Sequence, residues 1–403
     1  MIKTQDILIV GGGFAGVEAA RNLENDPRFK VTILSEETEM RYYPTLYRTA
    51  TGGVRANSSI PLEKIFENAG NIVIVKGTAT TLDKRAKTIT TADDEKYTYD
   101  VLILALGVVT NYFGIPGLSE YSYSIKSQAE VARFKAHLHK QIQDERKPDL
   151  NYVIVGAGPT GIELAGALPG YLNHIMKNHR IKNAKAIHID LIEAAPQLLP
   201  RLPKSISRTV RRRLHDLGIK LYVNSVVQAE NKDGLTVSGK PIRSHTVIWT
   251  AGVTNHPFFV ENHFAIMGRG KVAVDVYLQA DENVYVLGDN ANTPYSGMAQ
   301  TALLDGKFVA QNLKRKAEGK NPKSYNAKQP VTIIPVGPKW AIVIWKKIHF
   351  HGYLGHLLRQ ASEFVGFHDL ENWPLATKQF LTEFSSSDDC EVCAASVSSV
   401  SNN

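Results

Sequence analysis

An α/β fold, with two Rossmann-like dinucleotide-binding domains and a C-terminal region of strands and amphipathic helices, is predicted by three observations. The apolar run Ile7 to Val10 breaks into Gly11-Gly12-Gly13-Phe14-Ala15-Gly16 and continues from Val17 with helix-compatible residues. The same order recurs a domain's length downstream, where Tyr152 to Val155 leads into Gly156-Ala157-Gly158-Pro159-Thr160-Gly161. After each copy a second apolar run ends in acid, at Ser35-Glu36 and at Glu193. One such glycine pattern is a weak signal, and a second copy gives it weight.

Each glycine answers one steric demand. Gly11 and Gly156 permit a tight turn, Gly13 and Gly158 admit a pyrophosphate against the backbone, and Gly16 and Gly161 let the helix close on the strand. The helix N-terminus, with Phe14 and Ala15 in one copy and Pro159 and Thr160 in the other, offers unpaired N–H groups to the anion. A carboxylate at the end of the second strand accepts from a ribose hydroxyl. Ser35 holds that slot in the first copy, so the contact is assigned to Glu36. Glu193 in the second copy favours a free 2′-hydroxyl, hence NADH over NADPH, although Arg201 nearby keeps NADPH open.

The 403 residues suffice for two or three domains, and 43% apolar with 21% charged residues is ordinary globular composition. Two cysteines, Cys390 and Cys393, exclude a disulfide framework. The net charge of +8 fits an anionic cofactor, an anionic membrane surface or nucleic acid. The first strand follows the initiator methionine too closely for a secretory signal, and the longest apolar runs, Val101 to Val109 and Trp340 to Trp345, fall short of a membrane span.

Five segments are expected: 1–113, the first part of the first nucleotide domain; 114–256, the second domain; 257–328, the return to the first; 329–384, a membrane-association or dimer region; and 385–403, a Ser-rich disordered tail. Met40 to Tyr47 reads as a packed, Pro-broken loop. Val73 to Gly77 and Thr88 to Thr91 read as strands of a small antiparallel insert, with Asp93 to Glu95 as its turn. Tyr97 to Gly107 is too apolar for an edge and is expected as a central parallel strand. Helices are expected over Gln128 to Gln143 and Ser205 to Leu217. The arginines of the latter read as a solvated face, because no aromatic platform for nucleic acid accompanies them. Asn283 to Leu287 is a buried strand ending in Gly288-Asp289, where the aspartate can accept from the ribityl hydroxyls of a flavin. Gly297 to Ala302 leads into a helix reaching about Lys316.

These residues resemble the two-dinucleotide-binding flavoproteins, and within them the type II NADH dehydrogenases. The stretches that carry the resemblance are Tyr99 to Gly107 with Asn111 to Gly117, Val155 to Gly166, Ile248 to Val253, and Gly288 to Ala291. The resemblance implies non-covalent FAD in the first domain, with Pro44, Ala105, Gly107, Asp289, Ala299 and Gln300 among its contacts. It implies NADH in the second, with Ala251 and Gly252 beside the glycines, and a nicotinamide stacked on the flavin for hydride transfer. It also implies a C-terminal seat on a membrane. The glutamate that follows the second fingerprint in that family maps onto Glu163, expected to orient the nicotinamide or help a proton move; otherwise it is an acid in the helix's first turn. The family's quinone motif, Ala-Gln-x-Ala-x-Gln, is half present: Ala299-Gln300-Thr301-Ala302 matches, but Leu304 replaces the last glutamine and Asp305 follows. Gln300 is expected to hydrogen-bond a quinone carbonyl. Sulfide:quinone oxidoreductases are also similar, yet they need paired cysteines beside the flavin, and none precedes Cys390. No metal site is expected.

For the membrane seat, Tyr353, Leu354, Leu357, Leu358, Ala361, Phe364 and Val365 recur at helical spacing, with His356, Arg359, Gln360 and Glu363 opposite. Ala376, Phe380, Leu381 and Phe384 form a second stripe, and Lys339, Lys346, Lys347 and Arg359 supply positive charge. The reading is a peripheral enzyme on the cytoplasmic face of the cell membrane. The alternative for these helices is packing on the protein or a homodimer. A soluble reductase with a protein or disulfide acceptor, and a non-enzymatic flavin redox sensor, are the competing functions. Cys390-Glu391-Val392-Cys393 is a weak redox motif.

Overall fold

The computed structural model describes residues 4–368, except 145, 148 and 182–184, together with residue 377. The chain divides into two units. The first runs to Tyr42 and over Ser59–Val109 and Val253–Pro330, and the second over Tyr43–Ser58 and Thr110–Gly252 and again from Val331. Tyr43–Ser58 therefore groups with the second unit, and so does the chain that follows Pro330.

The first unit is built on a six-stranded sheet in the order Gln279–Asp281, Val284–Val286, Val101–Leu104, Gln5–Val10, Phe29–Ser35, Ile72–Lys76. All neighbours are parallel except the first pair. Val101–Leu104 pairs with strands on both sides, and its four residues are buried. That is why Tyr99 to Gly107 reads as continuous apolar sequence: a parallel strand is covered on both faces. Ile72–Lys76 corrects an expectation, since it is a parallel edge strand of this sheet and not part of the insert. Its half-exposed residues carry the alternation of a hairpin strand, which sequence cannot tell from a sheet edge. The insert is instead Ala79–Asp83, Thr88–Thr91 and Lys96–Thr98. The helix Ala299–Ala317 lies on the first-fingerprint helix Phe14–Arg21. Contact is so close that a Cβ at Gly306 would stand 2.3 Å from the Ala15 carbonyl oxygen.

The second unit holds a four-stranded parallel sheet ordered Lys220–Tyr222, Ala186–Ile192, Asp149–Val155, Thr246–Trp249. The helix Gln128–Gln143 begins with a capping box, in which Glu130 N–H donates to Ser127 Oγ and Ser127 N–H to Glu130 Oε2. It packs Phe134 and Leu138 into a core shared with Tyr152, Ile154 and Leu168 of the strand and second-fingerprint helix Pro159–Asn178. An antiparallel sheet of Thr332–Pro335, Ala341–Trp345 and Ile348–Gly352 leads into the C-terminal helix Tyr353–His368. The expected loop at Met40 to Tyr47 is corrected: Tyr43–Thr49 is a helix. Pro44 stands in its first turn, where a missing N–H breaks no bond.

Among the described residues no helix is long and apolar enough to cross a membrane. The second apolar stripe (Ala376 to Phe384), the tail 385–403 and Cys390 and Cys393 lie outside the described residues.

Candidate active site

In the first unit the turn after Gln5–Val10 is left-handed at Gly11 (φ +113°), and a Cβ there would meet the Ala105 carbonyl oxygen at 2.3 Å. A Cβ on Gly16 would stand 2.0 Å from the Gly11 carbonyl oxygen. Gly13 differs: nothing lies within 4 Å of the position its Cβ would take, and no side chain caps the helix it opens. The result is an open cradle beneath uncapped backbone N–H groups, which suits a pyrophosphate.

The neighbouring strand ends converge on this cradle. Gly288 (φ +61°) packs against Ala15 and Ala302, and its N–H donates to Asp305 Oδ2 at 3.0 Å. Asp305 is fully buried and also accepts from the Tyr325 hydroxyl. Burial pushes its carboxyl up to about 6 against both hydrogen bonds. Asn290, fully buried, receives the Gly107 N–H at 2.9 Å and donates to the Gly107 carbonyl and to Asn255 Oδ1, both at 2.6 Å. Asp305 and Asn290 were not anticipated as site residues; the only signal for Asn290 was its place beside Gly288-Asp289. Ala299 and Gln300 open their helix, with Gln300 exposed. Pro44 is exposed on the helix Tyr43–Thr49 and belongs to the other unit.

The second unit repeats the geometry. Gly156 (φ +105°) would place a Cβ 2.6 Å from Ala251 Cα, and Gly161 one 1.9 Å from the Gly156 carbonyl oxygen. Gly158 has nothing within 4 Å, and its helix too lacks a side-chain cap. Pro159 and Thr160 are exposed in the first turn. Glu193 reaches back to the turn, with Oε2 accepting from Ala157 N–H and Oε1 from Ala195 N–H, each at 2.8 Å. Gly252 sits against Asn111 and Phe113, and Trp249 Nε1–H donates to the Asn111 carbonyl.

The two seats define equivalent positions. Gly11 N–H donates to the Leu34 carbonyl and Gly156 N–H to the Ile192 carbonyl, both at 2.8 Å, so Ser35 corresponds to Glu193. Ser35 Oγ accordingly accepts from Gly12 N–H at 3.2 Å, while Glu36 is exposed one residue further on.

Glu163 lies past the first turn of its helix, which contains no acid; the reading as a first-turn acid is therefore corrected. It is partly accessible but closely surrounded, and burial pushes its carboxyl up to about 8, with Arg359 opposing and Glu363 adding to the rise. Arg359 and Glu363 form an ion pair on the C-terminal helix, and Arg48 approaches Glu363 at 3.4 Å. Tyr47 joins the group, its hydroxyl pushed up by burial. Arg359 is only 8% exposed, which corrects its expected place on a lipid-facing surface. Helix periodicity set Arg359 and Glu363 opposite the apolar stripe, and the packing turns that side inward.

Residues 5–306 match the family of pyridine nucleotide-disulphide oxidoreductases. The chain belongs to this family. It is similar to the type II NADH:quinone oxidoreductase Ndh of Mycobacterium tuberculosis, at 27% identity over 78% of this chain and 73% of that protein. It is also similar to the type II NADH:quinone oxidoreductase of Staphylococcus epidermidis, at 25% identity over 82% and 87%. In fold it superposes on NDH2 of Plasmodium falciparum, solved in complex with NADH, with a TM-score of 0.84 and 18% identity over 95% and 98% of the two chains. The sulfide:quinone oxidoreductase of Aquifex aeolicus gives 0.77 and 20% over 92% of each. The disulphide of the family's name has no counterpart among the described residues, which include no cysteine.

Proposed function

We propose that the chain is a type II NADH dehydrogenase, an FAD-dependent NADH:quinone oxidoreductase working at a membrane surface. The observation that carries this reading is the pair of glycine cradles, one per unit, each open at its middle glycine and uncapped at its helix N-terminus. The relatives' names and the lack of a cysteine before Cys390 support a quinone over a disulfide acceptor.

Gly11, Gly13, Phe14, Ala15 and Gly16 would hold the FAD pyrophosphate, and Asp289 would accept from its ribityl hydroxyls. Ala105, Gly107 and Ala299 line the seat, and Glu36 or Ser35 faces the adenosine ribose. Bound there, FAD would supply the hydride-accepting and two-electron-donating chemistry between NADH and a quinone. NADH lies over Gly156, Gly158, Pro159, Thr160 and Gly161, beside Ala251 and Gly252, with its ribose diol on Glu193. In the second unit Glu163 keeps a proton at neutral pH and is the candidate proton donor, and in the first unit the Gln300 amide is the candidate to orient a quinone carbonyl.

The membrane seat rests on an inverted helix. Tyr353, Leu354, Leu357, Leu358 and Val365 are exposed, while Arg359 and Glu363 are buried on the other side. Trp345, Ile348 and Phe350 extend the exposed apolar surface along the preceding hairpin, and Lys339, Lys346 and Lys347 border it. Such a surface suits the boundary of an anionic bilayer. We take this surface to hold the protein peripherally, on the cytoplasmic face of the cell membrane.

Stopped-flow mixing of the FAD-loaded protein with NADH tests the reading. Bleaching of the flavin band, and its recovery on adding a quinone analogue, are expected. A flavin that NADH leaves oxidised would sink the proposal.

A further inference from the structure

The acid that follows the half-present quinone motif is turned away from solvent. On the helix Ala299–Ala317, Thr301, Ala302, Asp305, Gly306 and Val309 are buried, whereas Gln300 is exposed and Leu304 is half-buried. Asp305 therefore faces the packed interior of the first unit, where a carboxyl is costly unless its oxygens find donors.

Each oxygen finds one. Oδ2 accepts from the Gly288 N–H at 3.0 Å, and Oδ1 from the Tyr325 hydroxyl. Gly288 is left-handed (φ +61°) and leads directly into Asp289, and its carbonyl accepts from Ser296 Oγ at 2.9 Å. The turn that carries Asp289 is thus held by Asp305 at its N–H and by Ser296 at its carbonyl. Tyr325 is itself fixed in place. Its N–H donates to the Val276 carbonyl at 2.7 Å, and its ring meets Phe308 edge-on at 5.1 Å. Asn312, 2% exposed, ties the same segment to the helix, accepting from the Lys323 N–H at 2.9 Å and donating to the Lys323 carbonyl at 2.8 Å.

No cation pairs with Asp305 among the described residues. Asp289 opposes its ionisation. Glu18, on the facing helix Phe14–Arg21, packs its Cβ against Gly306 and accepts from Asn22 Nδ2 at 2.8 Å. The Lys271 ammonium donates to the Asp289 carbonyl, the Lys316 ammonium to the Tyr285 hydroxyl at 2.9 Å, and Lys307 is exposed. Burial pushes the Asp305 carboxyl up to about 6, so its charge changes just below neutral pH.

We propose that Asp305 is a positioning residue for the flavin nucleotide: as a carboxylate it locks the Gly288 turn that presents Asp289 to the ribityl hydroxyls, and as a carboxylic acid it loosens that turn and weakens FAD binding. The proposal rests on the FAD reading of the first cradle. A carboxylate accepts both donors, whereas a carboxylic acid brings a third hydrogen into the same closed space, so protonation breaks one of the two bonds. FAD and the proton then oppose each other's binding, as linkage requires.

The FAD-loaded full chain, diluted into buffers of constant ionic strength from pH 5 to 8, gives the FAD dissociation constant from the fluorescence of released flavin. Binding is expected to be about tenfold weaker at pH 5 than at pH 7. Asp305→Asn keeps an acceptor oxygen for Gly288 but cannot titrate, so its profile should be flat. Tyr325→Phe removes one donor and leaves the carboxyl, and should move the inflection up by about one pH unit, which tests the proposal even where Asp305→Asn folds poorly. A purely structural acid would lower Tm in these variants without changing the shape of the profile. A native profile that is flat from pH 5 to 8, or a native inflection that persists in Asp305→Asn or stays in place in Tyr325→Phe, would overturn the proposal while FAD binding stands. A native chain that retains no FAD at pH 8 would overturn the FAD reading and the proposal with it.

Discussion

Arg359 donates to Glu363 one turn further along the C-terminal helix, and both are buried while their neighbours Leu357 and Leu358 are 45% and 38% exposed. Charge inside and leucine outside reverses the usual order of a surface helix. Arg48 shares the Glu363 carboxylate at 3.4 Å. Removing one partner of such a pair strands a buried charge, so Glu363→Ala should cost about 3–5 kcal/mol of unfolding free energy. The double replacement Arg359→Met with Glu363→Leu should cost clearly less, since no charge is stranded on the helix. Urea unfolding of both variants measures the difference.

The exposed leucines require a different solvent or a partner. Leu354→Glu with Leu357→Glu should abolish co-sedimentation with anionic vesicles and leave FAD content unchanged, because neither side chain is buried. If the surface instead joins two copies, the native chain would sediment as a dimer without lipid and the same variant as a monomer.

The glycine cradles separate a binding position from a folding one. Gly158→Ala adds a methyl to open space and should raise KM for NADH by more than about tenfold without lowering Tm. Gly161→Ala drives a Cβ to 1.9 Å from the Gly156 carbonyl oxygen and should destabilise the unit itself. Steady-state kinetics and thermal unfolding of the two variants distinguish the cases.

Both cradles were legible in the sequence because every demand on them is local: a turn, an approach and a close contact within six residues. Glu193 was legible for the same reason, since it closes a strand that must pair with the fingerprint strand. Ser35 follows the same logic. Sequence puts Ser35 in the acidic slot and passes the contact to Glu36 beside it, and strand register agrees that Ser35 holds the position equivalent to Glu193. The surroundings of Glu163 were not legible at all. They come from Tyr47, Arg48, Arg359 and Glu363, far apart in sequence and brought together by packing. Periodicity showed that the C-terminal helix has two faces but not which one turns inward. Similarly, Pro44 reads as a break until it is seen in the first turn of a helix.

Glu163 carries the sharpest pH dependence. Its carboxyl is raised from 4.5 to about 8, chiefly by burial. A raised acid binds its proton more tightly when folded, so its contribution is present at low pH and is lost as pH climbs from about 4.5 through about 8. Glu163→Gln cannot titrate, so its stability should gain on that of the native chain across this window, by on the order of 5 kcal/mol at pH 9. Quinone reduction should respond in the same direction. In the native chain it should fall as pH rises through about 8, where Glu163, the proposed proton donor, loses its proton, whereas Glu163→Gln should run about 100-fold slower with no such inflection. Arg359 favours the charged form, so Arg359→Met should move the inflection to higher pH. Glu363 opposes the charged form, and Glu363→Gln should move it lower. Stopped-flow reoxidation of the NADH-reduced flavin by a quinone analogue, recorded from pH 6 to 9.5, reads all four chains. An inflection that persists in Glu163→Gln would assign the proton to another group.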